Sequence, residues 1–144
     1  MLATVVRWWV AIVGLTALVT SLQCFCDSSF LADRIYTLDK SAVTPTLGRL
    51  FGTWTCLAGV VRMLWAYHVQ SKPLYTATLF SFVVALAYFT AEFLVYKTAA
   101  LTAGIISPLI VAGGSIVLML LAYPSLFPEQ GRETEGSKRP SKKL

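Results

Sequence analysis

Four long apolar stretches, separated by short polar segments, account for most of this 144-residue chain. They cover residues 8–26, 50–69, 74–96 and 101–123. Each stretch is close to the ~20 residues with which an α-helix crosses a hydrocarbon layer of ~30 Å. The apolar positions do not alternate strictly with polar ones, so the pattern favours helices over the strands of a membrane barrel. It therefore predicts an all-α membrane protein, a four-transmembrane-helix bundle with short loops.

The composition agrees with a chain immersed in lipid. Hydrophobic residues make up 56% of the sequence and charged residues 13%, and the mean hydropathy is +0.68. A soluble domain carries roughly 25% charged residues, so a water-soluble core is excluded. We expect one transmembrane domain over residues 1–127. Residues 128–144 are rich in Pro, Gly, Glu, Ser and Lys, which predicts a disordered cytosolic tail whose basic residues suit anionic membrane lipids.

The first apolar stretch has a second interpretation as a cleaved secretion signal. Arg7 precedes the stretch, and small residues lie near its end. The apolar run is at the upper end of length for a signal core, and no pair of small residues stands at a suitable cleavage point before Leu22 and Gln23. We therefore expect an uncleaved membrane anchor.

The distribution of basic residues predicts the orientation of the bundle. With four spans, both termini lie on one side, which collects Arg7, Lys72, Arg132, Lys138, Arg139, Lys142 and Lys143. The opposite side has Arg34, Lys40, Arg49 and Lys97. Because Lys and Arg accumulate on the cytosolic side of membrane proteins, both termini are predicted to be cytosolic.

The first connection, over residues 27–46, mixes apolar and charged positions. Leu31 and Ile35 belong to an amphipathic pattern that predicts a short helix at the membrane interface. Thr44 and Pro45 then have the residue types of a helix N-cap and first turn, so they are the predicted start signal of the second long helix.

The second long helix carries a stripe of small and polar residues. At about 100° per residue, the members of this stripe fall within roughly 80° of one another. They are Gly48, Gly52, Thr55, Gly59 and Arg62. Gly48 and Gly52 have the spacing at which two helix backbones approach closely in lipid. We expect the stripe either to close the bundle or to dock a partner protein; glycines that are merely tolerated in a membrane helix are the remaining alternative.

The third long helix has a stripe of its own, again within roughly 80°. It consists of Thr78, Ser81, Ala85, Tyr88, Glu92 and Tyr96. An ionised carboxylate that faces lipid costs several kcal/mol, so Glu92 is expected to face protein or water. Tyr88, Glu92 and Tyr96 are therefore further candidates for packing or partner docking.

Height along the helices decides which charges can meet. Counted from the turn at residues 71–73, Glu92 lies ~27 Å along the third helix and Arg49 lies ~30 Å back along the second. Arg49 and Glu92 are therefore the predicted ion pair. Arg62 lies only ~12 Å back, so we expect it to reach lipid head groups or to pair with hydroxyls of neighbouring helices.

The residue inventory offers no catalytic, cofactor-binding or metal site. The single histidine is His68, and the three cysteines, Cys24, Cys26 and Cys56, lack the spacing of a zinc site. No glycine-rich phosphate loop follows a strand. We expect no enzymatic activity, no cofactor and no nucleic-acid partner.

A set of spaced residues between about Leu22 and Leu121 carries a family resemblance. Its first half contains Leu22-Gln23-x-Phe25-x-Asp27, Phe30-Leu31, Tyr36-Thr37 and Phe51-Gly52-x-Trp54-Thr55 through Arg62. Its second half contains Lys72-x-Leu74-Tyr75, Thr78-Leu79, Ala85-Leu86, Phe89, Glu92, Val95-Tyr96-x-Thr98-Ala99-Ala100, Thr102, Gly104 and Pro108-Leu109. With these residues the chain resembles the ergosterol biosynthetic protein 28 family.

The resemblance implies a multi-pass protein of the endoplasmic reticulum membrane that serves sterol biosynthesis without catalysing a reaction. It implies a scaffold that holds the sterol C-4 demethylation enzymes together by protein–protein interaction. These enzymes are the sterol C-4 methyl oxidase, the decarboxylating sterol-4α-carboxylate 3-dehydrogenase and the 3-keto sterol reductase. A membrane di-iron oxidase needs a set of histidines, and this chain has one.

Other functions stay open beside the scaffold. A small membrane enzyme or a sterol-binding protein would use Glu92, together with Tyr88 and Tyr96, inside the bundle. Pro108 and the Gly113-Gly114 pair interrupt the fourth helix, which is typical either of a tolerated kink or of a transport pathway. An oligomeric channel, and a homo-oligomer more generally, therefore remain alternatives.

Overall fold

The computed structural model describes residues 1–128, and these residues form five α-helices. The helices are α1 (Leu2–Cys26), α2 (Ser29–Arg34), α3 (Pro45–Tyr67), α4 (Lys72–Leu94) and α5 (Ala103–Leu126), with a 3-10 turn at Lys40–Ala42 between α2 and α3. The described part of the chain contains no strand, so the predicted all-α class is confirmed. The prediction of a disordered tail concerns residues 129–144 almost entirely and lies outside the described residues.

Three helices within residues 1–128 are long and apolar enough to cross a membrane, namely α1, α4 and α5. Helix α3 has 23 residues, which is also a sufficient length. Its glycines, threonines and two arginines lower its mean hydropathy, and it does not meet the same criterion. The predicted number of four spans is therefore not confirmed, and the structure supports three candidate spans.

The helix ends differ from the predicted boundaries by a few residues and follow local capping chemistry. The side chain of Thr44 accepts a hydrogen bond from the Leu47 N–H at 3.1 Å, and Pro45 occupies the first turn. Thr44 and Pro45 are thus the start of α3, as predicted, although the apolar run begins only at residue 50. Helix α4 ends before Lys97, whose φ of 54° turns the chain toward α5.

The four long helices pack in a ring in the order α1, α3, α4, α5 and back to α1. Neighbours in this ring are antiparallel, because the beginning of one helix lies beside the end of the next. The Tyr75 hydroxyl, near the start of α4, donates to the Met119 carbonyl oxygen late in α5 at 2.9 Å. We call the end that contains Met1 the terminal end and the end that contains residues 27–44 the loop end.

Each end of the bundle has its own apolar core. The terminal end is centred on Trp65, Phe82 and Met119, and the loop end on Leu31 and Ile105. The predicted short helix in the first connection is present as α2, and its Leu31 is fully buried. Helix α2 therefore packs into the loop-end core and covers it.

The outward faces of the long helices are apolar as well. Large hydrophobic side chains there have more than half of their surface exposed, including Ile12, Leu57, Phe80, Ile110 and Leu121. Such a surface suits hydrocarbon and would be unfavourable in water. Among the polar side chains of α3 and α4, Thr55, Arg62 and Thr78 are buried inside the bundle, where the candidate site lies.

Candidate functional site

The predicted stripe on α3 is the surface with which α3 packs against α1. A Cβ atom placed on Gly48 would overlap the Cβ of Ser28, two residues after α1, and one placed on Gly59 would lie 3.0 Å from the Gly14 carbonyl oxygen of α1. The Ser21 hydroxyl donates to the Gly52 carbonyl oxygen at 2.7 Å. The glycines therefore allow close backbone contact within the bundle. In this structure the glycine positions are buried by α1 and are not a free docking face.

Thr55 and Arg62, the polar members of the same stripe, are also buried. The Thr55 hydroxyl donates to the Phe51 carbonyl oxygen of its own helix at 2.6 Å. Arg62 is only 7% exposed. Its position next to Gly14 and Gly59 places the stem of the side chain in the α1–α3 contact and its head group in the centre of the ring.

Arg62 has a hydroxyl and an aromatic ring as partners. Its Nε donates to the Ser81 Oγ at 3.2 Å, and its Cζ lies 4.1 Å from the centre of the Phe82 ring. Of the two alternatives for Arg62, the structure shows pairing with a hydroxyl of a neighbouring helix. Ser81 in turn donates to the Thr78 carbonyl oxygen at 2.7 Å. Within residues 1–128 no carboxylate lies within ion-pair distance of Arg62, because the single ion pair there joins the exposed Lys40 and Asp33.

A cavity of about 720 Å³ lies beside the Arg62 guanidinium. Its wall contains residues from all four long helices, among them Thr16 of α1, Arg62 of α3, Phe82 of α4 and Val111 of α5. Arg34, the last residue of α2, borders it at the loop end. The volume is in the range of small-molecule sites, about 300–1,000 Å³. Sequence periodicity placed the polar stripes but gave no sign of this empty space.

Glu92, Tyr88 and Tyr36 form a second polar group at the loop end. The hydroxyls of Tyr36 and Tyr88 are hydrogen-bonded to each other, and the Thr98 hydroxyl donates to the Glu92 carboxylate. Burial raises the pKa of Tyr36, so its hydroxyl stays protonated and can donate. These residues border a smaller cavity of about 440 Å³. Tyr36 and Thr98 lie in loops, and helical periodicity could not place them there.

The predicted ion pair between Arg49 and Glu92 is not formed. Arg49 is exposed, and its Nη2 donates to the Thr46 Oγ1 at 3.1 Å, while Glu92 accepts from Thr98. Arg49 and Glu92 lie at similar heights along their helices, but rotation about the helix axis also decides whether two side chains meet. Arg49 follows Gly48, which faces α1, and a step of about 100° turns the arginine outward. Tyr96, the last member of the α4 stripe, lies beyond the end of α4 and is 68% exposed.

The remaining chemical groups are scattered. Residues 1–128 contain no cluster of three His, Cys, Asp or Glu side chains that could hold a metal ion. His68 is exposed just after α3, where its ring packs against Tyr67. Cys24, Cys26 and Cys56 are free thiols.

Comparison with known proteins decides the family. A family model described as Erg28 like protein matches residues 6–117, which is well over half of the chain. This chain belongs to the Erg28 family. The resemblance inferred from the spaced motifs is thereby confirmed.

Erg28 relatives occur in distant eukaryotes. The Homo sapiens protein named ergosterol biosynthetic protein 28 homolog is 42% identical over 125 residues, which cover 87% of this chain and 89% of the relative. The Candida albicans protein is 34% identical over 114 residues (79% and 82%), and that of Saccharomyces cerevisiae 28% over 111 residues (77% and 75%). No solved structure matches the chain. The names of these relatives connect the Erg28 family with ergosterol biosynthesis.

Proposed function

We propose that this Erg28 protein is a non-catalytic scaffold in the endoplasmic reticulum membrane that holds the sterol C-4 demethylation enzymes together. The partners are the sterol C-4 methyl oxidase, the decarboxylating sterol-4α-carboxylate 3-dehydrogenase and the 3-keto sterol reductase. The names of the relatives support a role in the sterol pathway. The observation that supports the scaffold function is that most buried polar side chains bond within the chain, while the outer surface of the bundle is mostly apolar.

Most buried polar side chains of the bundle are hydrogen-bonded within the chain. The Trp9 Nε1 donates to the Ser115 Oγ at 2.9 Å and joins α1 to α5, just as the Ser21 hydroxyl joins α1 to α3. What the long helices present outward is apolar surface. Such a protein has few polar side chains left for catalysis, and it has a large apolar surface on which other membrane helices can pack.

We further propose that α3 is a fourth span. Its 23 residues extend over ~35 Å, enough for the hydrocarbon layer. The glycines, Thr55 and Arg62 that lower its hydropathy face α1 and the ring interior, while Leu50, Leu57 and Leu64 lie on its exposed side. Lipid would therefore meet a mostly apolar surface, with the exposed Arg49 near the loop end of the helix. With four spans both termini lie on one side, and the basic residues of that side favour the cytosol.

Tethering would act through local concentration. The sterol intermediates of such a pathway are poorly soluble, and a short tether between two enzymes gives an effective concentration of about millimolar. An intermediate then meets the next active site before it diffuses away in the bilayer.

Affinity purification from detergent-solubilised microsomes tests this function. We expect the oxidase, the dehydrogenase and the reductase to co-purify with the tagged chain, and the chain stripped of partners to convert no sterol. Conversion of a sterol by the isolated chain would contradict the proposal.

A second candidate function is a sterol-binding protein or small enzyme that uses Glu92. The observation in its favour is the hydrogen-bonded group of Tyr36, Tyr88, Glu92 and Thr98 beside the 440 Å³ cavity. Purified wild-type chain would then bind or convert a sterol, and Glu92→Gln would abolish this activity. Unchanged sterol binding in Glu92→Gln would exclude Glu92 from the role.

A further inference from the structure

Arg62 has unused hydrogen-bonding capacity in the interior of the bundle. A guanidinium carries N–H donors on all three of its nitrogens, and Arg62 uses its Nε for Ser81. Among residues 1–128, its two terminal nitrogens have no hydrogen-bond acceptor. A buried positive charge without an anion costs several kcal/mol, and the Phe82 ring offsets only a part of that cost.

The 720 Å³ cavity reaches this guanidinium through a mostly apolar wall. Along α1 its wall extends from Trp9 to Gln23, which corresponds to ~21 Å at 1.5 Å per residue. Trp65, one turn beyond Arg62 on α3 toward the terminal end, belongs to the packed core and does not line the cavity. Gly14, which lies against the Arg62 Cβ, falls between Trp9 and Gln23 on α1. The cavity is therefore long and mostly apolar, and a positive charge lies beside it between its two ends.

The exposed residues of the cavity wall indicate an opening between α1 and α5 that extends to the loop end, where Gln23, Arg34 and Ala103 are also exposed. The hydrogen bond from Trp9 to Ser115 holds these two helices together near the terminal end. Closer to the loop end, wall residues on the two helices are exposed, namely Ile12 and Thr16 on α1 and Ser107 on α5. With α1 and α5 as membrane spans, this opening would face the hydrocarbon layer.

We propose that this cavity binds an apolar carboxylic acid from the bilayer, with the carboxylate on Arg62 and the hydrocarbon part along α1 and α5. Arginine holds a carboxylate by two parallel hydrogen bonds, and the two free nitrogens of Arg62 supply them. The acid would provide the anion that the described residues lack. A neutral lipid of the same shape would leave the guanidinium unpaired.

The identity of the acid rests on the proposed function. A decarboxylating sterol-4α-carboxylate dehydrogenase consumes a sterol with a carboxylate on its ring system. Such an acid is rigid, apolar and singly charged, and it must move between two membrane enzymes. The bundle would then hold the acid as well as the enzymes. A free fatty acid shares the chemistry and is the other source.

Equilibrium binding to the purified full-length chain in detergent tests the site. The probes are a 4-carboxy sterol, the 4-methyl sterol of the same skeleton, and palmitic acid. We expect saturable 1:1 binding of the carboxy sterol. Since hydrogen bonds to charged groups contribute about 1.5–3 kcal/mol, Arg62→Met should weaken this binding by about 10- to 100-fold. Arg49→Met is the matched control, because Arg49 lies on the same helix outside the cavity wall, and it should bind as wild type does.

A second pair of variants keeps the test decisive if Arg62→Met does not fold. Ser107 is an exposed wall residue at the opening, so Ser107→Trp should block entry of the acid while the chain keeps its thermal stability. Ile110→Trp places the same ring on the lipid-facing side of α5 and should leave binding unchanged.

The results of these measurements distinguish failure of the carboxylate site from failure of the scaffold function. Absence of saturable binding of either acid, or equal binding of acid and 4-methyl sterol in wild type and Arg62→Met, would overturn the carboxylate site. Arg62-dependent binding of palmitic acid alone would support the site and overturn its assignment to a sterol. Co-purification of the enzymes with Arg62→Met reports on the scaffold independently of these results.

Discussion

Arg62 on α3 and Ser81 on α4 are joined by a hydrogen bond of 3.2 Å between Nε and Oγ. This bond connects the two helices at the level of the central cavity, where the arginine is almost completely buried. Ser81 and the ring of Phe82 therefore fix the direction of the guanidinium together.

Replacement of Ser81 by alanine should destabilise the bundle. The change leaves the buried Arg62 Nε without its acceptor, and an unsatisfied buried donor costs about 1–3 kcal/mol. Thermal unfolding in detergent measures the loss. Thr53→Ala is the control, because the Thr53 hydroxyl is exposed and bonds only to its own helix, at the Arg49 carbonyl oxygen. Equal unfolding temperatures for the two variants would show that the Arg62–Ser81 bond does not support the fold.

A larger side chain should destabilise the bundle at Gly59 but not at Gly113. A Cβ on Gly59 would lie 2.9 Å from the Leu18 Cγ and 3.0 Å from the Gly14 carbonyl oxygen, whereas a Cβ on Gly113 meets nothing within 4 Å. Overpacking costs about 1–3 kcal/mol, so Gly59→Leu should lower the unfolding temperature and Gly113→Leu should not. A Gly59→Leu protein as stable as wild type would contradict the close α1–α3 contact.

Arg49 should be dispensable for stability. It is exposed and pairs with the Thr46 hydroxyl one turn away, so Arg49→Gln is expected to change the free energy of unfolding by less than about 0.5 kcal/mol. Tyr36→Phe, which removes the hydrogen bond between the loop and Tyr88, should cost about 1 kcal/mol. Greater damage from Arg49→Gln than from Tyr36→Phe would favour an ion pair with Glu92.

Thiol labelling in intact microsomes tests the membrane topology. Cys26 at the loop end and residue 68 at the terminal end are both exposed and lie at opposite ends of the bundle. If α3 crosses the membrane and the termini are cytosolic, a membrane-impermeant maleimide should label His68→Cys in a chain with no other cysteine. Cys26 as the sole cysteine should react only after permeabilisation. Labelling of both positions in intact microsomes would show that α3 does not cross.

Sequence periodicity predicted much of this architecture. The start of α3 at Thr44 and Pro45, the short helix after α1 and the burial of the glycine stripe all follow from local patterns, because capping and helix faces depend on residues close in the chain. The number of spans was harder to predict, because α3 is less apolar than the other long helices. Its hydropathy does not show that its glycine face is covered by α1.

The candidate site was only partly accessible from sequence. Periodicity placed Gly48, Gly52 and Gly59 on one face, since a single helix determines that face, but it left open what the face contacts. The partners of Arg62 and Glu92 depend on how several helices and loops meet. Thr98 and Tyr36 come from loops, and the cavity beside Arg62 exists only because α1 and α5 leave space between them.

The most direct test of the scaffold measures how much dehydrogenase and reductase co-purify with the tagged C-4 methyl oxidase from membranes with and without this Erg28 chain. Association among the enzymes should fall strongly when the chain is deleted and return when it is re-expressed, with the enzyme levels held equal. Unchanged association in membranes that lack the chain would contradict the scaffold.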